Sequence, residues 1–215
     1  MTDAITARQF HEAEGVDDWR VLFRGAHAHF RTGNFVTGLA LVNAIGSLAE
    51  AANHHPDVDL RYTGVTVRLI SHDVGDLSER DLRLAQQISA AARELGIPAD
   101  PSAVQFVQFA VDVAGPAVRP FWEAVLGYRA EGDEVLADPY GRNPPVWFQP
   151  MSEARTGRNR VHVDISVPHD VAEARIAAAV AAGGRVVSDR FAPAWWTLAD
   201  PEDNEVDIAT WQNRD

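Results

Sequence analysis

Glu50-Ala51-Ala52-Asn53-His54-His55-Pro56-Asp57 is the stretch on which the fold turns, because it separates two different hydrophobic periods. Upstream, Phe35, Leu39, Val42, Ile45, Leu48, Ala49 and Ala52 recur at helical spacing and predict a long amphipathic helix ending near Asn53. Pro56 disfavours α geometry at His55, so the helix ends at the histidine pair. Downstream, Val65, Val67 and Leu69 alternate with Thr66, Arg68 and Ile70, the period of a half-buried strand, with Leu60 and Tyr62 extending or preceding it. Ser78 has the character of an N-cap, with Asp81 in the first turn and Leu82, Ala85, Ile88, Ala92 and Leu95 along one helix face. Earlier in the chain, residues 19–23 and 27–31 read as two short strands around Gly25. The expected first half is therefore α+β, an antiparallel sheet with helices on one face.

Gly96-Ile97-Pro98-Ala99-Asp100-Pro101-Ser102 divides the chain. Gly96 suits the position just past a helix, and the two prolines keep the helix from resuming. Six of the eight histidines (His11, His27, His29, His54, His55 and His72) precede this break, whereas five of the six tryptophans follow it. Two domains are expected, 1–98 and 103–215, with 99–102 as linker. The second contains an internal repeat. Residues 107–113 are strand-like, 117–126 helical up to Gly127, and further strands lie around Val135 and 146–148. A second pass starts at Val161, with a helix over 171–182 before Gly183-Gly184 and strands near 185–188, 195–198 and 206–210. An offset of roughly 55 residues and only two copies exclude a solenoid and fit paired βαβββ modules in a cupped sheet.

Composition narrows the function classes. The 215 residues carry 19 basic and 31 acidic side chains, a formal charge of −12, with no basic block, which argues against a nucleic-acid partner. A hydrophobic fraction of 46% excludes a disordered chain. The absence of cysteine excludes disulfides, thiolate zinc sites, iron–sulfur clusters and a cysteine nucleophile. Residues 1–14 lack the pattern of a signal peptide, and apolar stretches such as 176–182 are shorter than the ~20 residues of a membrane span. The expectation is a cytoplasmic protein with no membrane partner.

Chemistry concentrates around the histidines. Glu50 and His54, four apart on the helix, are expected to meet on one face, where the carboxylate would fix the imidazole tautomer. His72 ends the alternating strand beside Asp73, and Asp81 opens the next helix. Packing strand against helix would gather Glu50, His54, His55, His72 and Asp81 at one pocket suited to general acid–base chemistry. Histidines at element ends also serve as solvated caps or turn residues. A metal site is a further alternative, for which the adjacent His54 and His55 have poor chelating geometry.

His54-His55-Pro56-Asp57, Tyr62, Val65-x-Val67-x-Leu69, Ser71-His72-Asp73, Leu77-Ser78 and Asp81-x-x-Leu84-Ala85 together resemble the pterin-4a-carbinolamine dehydratases, over most of residues 5–96. The resemblance implies elimination of water from a 4a-hydroxytetrahydropterin to give quinonoid dihydropterin. It implies catalytic His54, His55 and His72, with His54 and His72 as the acid/base pair and His55 positioning the pterin. Glu50 and Asp81 would orient the imidazoles, and Ser71 and Asp73 would join His55 in binding substrate. It further implies a small-molecule pterin substrate, no required metal or redox cofactor, and a homodimer or homotetramer. Asn53, Val58 and Asp76 depart from the family's usual Asp, aromatic and Gly.

In the second half, Phe121-Trp122-Glu123-Ala124-Val125-Leu126-Gly127-Tyr128, Asn159-Arg160-Val161-His162-Val163-Asp164 and Asp200-Pro201-Glu202-Asp203-Asn204-Glu205-Val206-Asp207 resemble the vicinal-oxygen-chelate, or glyoxalase/bleomycin-resistance, family. Such motifs mark the fold more than the activity. In metal-dependent members the ligand positions correspond here to Gln108, His162 and Asp207, with a fourth at 147–149, where Gln149 is the one donor beside Trp147 and Phe148. The alternative is that His162 packs at the module seam and the cup takes an organic ligand or none. Trp147, Trp195, Trp196 and Trp211 could line that cup and stack on a planar ring such as a pterin, or belong to the core or an interface. The leading expectation is a dehydratase with an accessory glyoxalase-like domain. A metal-dependent glyoxalase-like lyase or dioxygenase, and a non-catalytic ligand-binding protein, are the alternatives.

Overall fold

A computed structural model describes residues 3–22, 25–151, 162–210 and 212–213. The expected roles of Phe23 in a strand, of residues 159–161 in the second glyoxalase-like motif and of Trp211 in the cup fall outside these residues. Backbone contacts group the chain into two compact units, Met1–Phe106 and Val107–Asp215.

The first unit runs α1 (Ala7–Glu12), β1 (Trp19–Leu22), β2 (Gly25–Arg31), α2 (Phe35–Ala52), β3 (Asp57–Arg61), β4 (Gly64–Leu69) and α3 (Glu79–Glu94). Its sheet is antiparallel throughout, in the order β1-β2-β4-β3. Strand alternation decides which face is covered. Ala26, Ala28 and Phe30 of β2 and Val65, Val67 and Leu69 of β4 lose all solvent contact. They share a core with Leu41 and Ile45 of α2, Leu84 and Ile88 of α3, and Trp19. Trp19 also donates its Nε1–H to Ser89 Oγ at 3.0 Å, satisfying both buried groups. Helix α1, which apolar periodicity did not reveal, is held by a Thr6–Gln9 capping box and anchored by buried Phe10.

Two features of the first unit bear on the expected layout. Residues 99–102 are strapped to the first unit: Asp100 N donates to His29 O at 2.7 Å, and Ala99 bridges to Phe30, where β2 runs on past the end of β1. The boundary between units therefore falls after Phe106. Second, α2 is the longest apolar segment. With 18 residues and a mean hydropathy of 1.5 it is long and apolar enough to cross a membrane by length and composition. Small residues interleaved with large ones hide that apolarity, and Glu50 is its one charged residue. In the first unit the Gly38, Leu41, Ile45 and Ala49 stripe of this helix is buried. At Gly38 an added Cβ would lie 2.6 Å from Leu60 Cδ1, so glycine is what lets α2 approach β3.

The second unit repeats one plan. β5 (Phe109–Val113), α4 (Arg119–Leu126), β6 (Arg129–Glu131), β7 (Val135–Ala137) and β8 (Val146–Pro150) form the first copy. β9 (Val163–Ser166), α5 (Ala172–Ala181), β10 (Arg185–Ser188), β11 (Trp195–Ala199) and β12 (Glu205–Ala209) form the second. The sheets read β5-β8-β7-β6 and β9-β12-β11-β10, so each copy places its first strand beside its last, in parallel. These are the paired βαβββ modules, built around a shared core that includes Phe121, Leu136, Leu198 and Ile208.

Candidate active site

The end of α2 controls the histidines. Asn53 adopts φ 46°, the left-handed conformation that asparagine tolerates better than most residues. Asn53 N then donates to Glu50 O at 3.2 Å and His54 N to Ala49 O at 3.1 Å, the paired bonds of a Schellman ending. Because the chain has left the helix, His54 is no longer an i+4 neighbour of Glu50. The expected Glu50–His54 pair is replaced by two others. His54 turns inward, where its Nε2 lies 2.7 Å from Asp81 Oδ1. His55 turns outward, and its Nε2 lies 3.1 Å from Glu50 Oε1, with both side chains exposed.

Asp81 is the hub of the inner pair. It has no exposed surface and sits at the third position of α3, closing a capping box with Ser78. Its Oδ2 accepts from Ser78 N and from Ser71 Oγ, each at 2.7 Å, while Oδ1 faces His54. Ser71 Oγ also lies 2.6 Å from Ser78 Oγ. A buried carboxylate holding several donors, at the positive end of a helix, is a rigid acceptor. An ionised carboxylate only accepts, so neutral His54 carries its proton on Nε2 and keeps Nδ1 as the basic nitrogen.

Ser71 was expected to bind substrate. It is 1% exposed with its hydroxyl committed to Asp81, so it positions the carboxylate and does not face a ligand. His72, the next residue, is exposed, and none of the described residues hydrogen-bonds to it. Among the described residues no hydrogen bond joins His72, or His55 and Glu50, to the His54–Asp81 network. Asp73 is exposed and accepts two bonds from Arg80 Nη2 at 2.9 and 3.0 Å. The Arg80 hydrogen bond holds the Asp73 carboxyl below its usual range. Arg80, which also binds Asp3 at 3.0 Å, was not anticipated. A cation in the first turn of a helix opposes the dipole, and that misfit beside Asp73 was the available signal. His27 was also missed. It is 7% exposed on the sheet face away from the helices, its Nε2 has no partner among the described residues, and burial pushes its pKa down to about 4.

In the second unit, His162 Nε2 lies 3.4 Å from Asp164 Oδ1 and 4.0 Å from Asp207 Oδ2, and one ligand atom from each residue falls within 4.8 Å of the others. Asp164 joins the cluster because β9 and β12 pair it directly with Asp207. Of the metal set expected from the resemblance, His162 and Asp207 lie together, with Asp164 beside them. Gln108 makes no hydrogen bond to this cluster among the described residues. In the first module, Trp147 Nε1 donates to Glu134 at 3.2 Å, Phe148 is buried in the core and Gln149 is exposed. Asp200, fully buried, holds the other motif together. It accepts from Trp122 Nε1 at 2.9 Å and from the backbone of Glu202 and Asn204.

Residues 2–91 match the family model described as Pterin 4 alpha carbinolamine dehydratase, and residues 108–209 match that described as Glyoxalase-like domain. A relative from Aquifex aeolicus (strain VF5), named "Putative pterin-4-alpha-carbinolamine dehydratase", is 38% identical over 84 residues, covering 39% of this chain and 85% of its own. A relative of the same name from Chloroflexus aurantiacus (strain ATCC 29366 / DSM 635 / J-10-fl) is 44% identical over 71 residues, covering 33% and 76%. A solved glyoxalase/bleomycin resistance protein/dioxygenase family enzyme from Burkholderia phytofirmans PsJN is 17% identical, with a TM-score of 0.39 over 48% of this chain and 95% of its own. Through its first unit the chain belongs to the pterin-4-alpha-carbinolamine dehydratase family, and its second half is a glyoxalase-like domain.

Proposed function

We propose that the first unit dehydrates a 4a-hydroxytetrahydropterin to quinonoid dihydropterin by histidine-based general acid/base catalysis, with the glyoxalase-like domain as an accessory. The C4a–O bond breaks as a proton reaches the departing hydroxyl, and the N5 proton is removed as the C4a=N5 bond forms. Water and the quinonoid product balance the step, with no change of oxidation state. Both transfers suit imidazole, which exchanges protons near neutral pH.

The observation that carries this reading is the buried His54–Asp81 pair at 2.7 Å, with Asp81 locked by Ser71 and Ser78. In it His54 Nδ1 is the proton-transfer atom and Asp81 a positioning residue. His72, on the exposed turn that follows Ser71, is the second proton-transfer group. His55 and Asp73, held by Glu50 and Arg80, orient the pterin from the outer side. The exposed Phe35, Val36 and Leu39 of α2 support the homodimer or homotetramer, which sedimentation would test.

The test is dehydration of synthetic 4a-hydroxytetrahydropterin by the full chain. The wild type is expected to accelerate it and His54→Ala to lose about a hundredfold or more. Equal rates for wild type, variant and buffer would overturn the reading.

A further inference from the structure

The first turn of α3 holds more than its capping box requires. Arg80 and Asp81 are consecutive there, and each grips a different flank of the turn that carries His72. Asp81 Oδ2 accepts from the Ser71 hydroxyl at 2.7 Å, on the residue before His72. Arg80 Nη2 donates to both Asp73 oxygens at 2.9 and 3.0 Å, on the residue after it. Between those grips the turn closes on itself. Ser71 N donates to Asp76 O at 3.1 Å, and Val74 N and Gly75 N donate to Ser71 O at 3.1 and 2.9 Å. The same Asp81 also holds His54.

Helix physics alone disfavours Arg80 at this place, because a cation in the first turn faces the positive end of the dipole. Two carboxylates offset that cost, and one comes from the N-terminal segment. Arg80 Nε donates to Asp3 Oδ2 at 3.0 Å and to Ser78 Oγ at 3.3 Å. Asp3 is itself fixed, since Glu79 N donates to Asp3 O at 2.9 Å, Ile5 N to Leu77 O at 3.0 Å, and Ala4 bridges to Ser78. The Asp73 side chain is 68% exposed, and ion pairs in such places contribute little to stability. A planar guanidinium with Nε on one carboxylate and Nη2 on another supplies direction instead.

We propose that Arg80, braced by Asp3, is a positioning residue that sets where His72 stands relative to His54 through its grip on Asp73. One helix end then places both imidazoles, Asp81 acting on His54 directly and Arg80 acting on His72 through the turn. The effect on rate rests on the dehydratase reading of the first unit; the clamp on the turn does not.

The experiment is a double-mutant cycle on the full chain, with wild type, Arg80→Gln, His72→Ala and the pair compared in kcat for 4a-hydroxytetrahydropterin. Arg80→Gln is expected to lose about tenfold in the wild-type background and less than about twofold in the His72→Ala background, since it acts through His72. The second readout is 15N relaxation of the His72 amide, which needs no turnover. Its order parameter is expected to fall from about 0.85 to below about 0.6 in Arg80→Gln, with the amides of α3 unchanged. Arg80→Lys keeps the charge but loses the planar fork, and is expected to follow Arg80→Gln in both readouts. It carries the same cycle if thermal unfolding shows Arg80→Gln misfolded. Wild-type kcat in these Arg80 variants, an equal loss in both backgrounds, or an unchanged order parameter overturns the proposal. Absence of dehydration by the wild type refutes the first-unit activity, and relaxation at His72 then judges the clamp independently.

Discussion

Replacing Asp81 by Asn separates the shape of the network from its charge. The carboxylate receives His54 on Oδ1 and the Ser78 N–H and Ser71 hydroxyl on Oδ2. The Ser78 N–H can only donate, so the new amide oxygen has to stay on that side and the NH2 has to face His54. His54 can accept from it only by moving its own proton from Nε2 to Nδ1. The variant therefore inverts the tautomer while leaving the side-chain shape almost unchanged. Converting three charge-assisted bonds to neutral ones costs about 1 kcal/mol each, and losing an anion from the first turn of α3 adds a few tenths, giving about 3–4 kcal/mol of lost stability. Turnover should fall about 10²–10⁴-fold, because Nδ1 no longer offers a lone pair. Urea denaturation reads the first number, the dehydration assay the second, and 15N–1H correlation of the His54 ring the tautomer. A switched tautomer with wild-type turnover would refute the role given to Nδ1.

Three other outcomes follow from the packing. His27, with its pKa at about 4 when folded and an unperturbed 6.5 when unfolded, binds more protons in the unfolded chain between those values; its contribution to stability is complete above pH 6.5 and is lost as pH falls towards 4, by at most about 3 kcal/mol. Acid titration of the urea midpoint should show this slope, and His27→Phe should flatten it. Gly184→Ala places a Cβ 2.1 Å from the Phe121 ring and 3.0 Å from Ala199 O, so overpacking should cost about 3 kcal/mol by thermal unfolding. Asp200→Ala leaves the Trp122 Nε1–H and two backbone N–H groups without their acceptor; about 3–5 kcal/mol of destabilisation is expected, and a loss below 1 kcal/mol would deny Asp200 its structural role.

Periodicity carried the architecture. The apolar spacing of α2, the Ser78 cap of α3 and the alternation in β4 all have local causes, and so does the duplicated strand–helix–strand pattern of the second unit. What local pattern could not carry was direction. His54 and Glu50 are four apart in sequence, but the left-handed Asn53 ends the helix between them and sends the two imidazoles to opposite sides. Ser71 sits in a polar Ser-His-Asp triplet that reads as surface, and only the docking of the α3 N-terminus buries it. Pro98 and Pro101 read as a linker because prolines end helices, yet the backbone groups between them complete the free edge of β2. Asp164 escaped notice as a partner of Asp207 because parallel pairing of β9 with β12 joins residues 43 positions apart.

The central claim is that His54 and His72 move the two protons of one dehydration. Pre-steady-state dehydration rates for wild type, His54→Ala, His72→Ala and the double variant test it most directly. Each single variant should lose about 10²–10⁴-fold, and the double variant less than the product of the two losses, since both groups act in one step. Wild-type rates in both single variants, with the folds intact by circular dichroism, would contradict it.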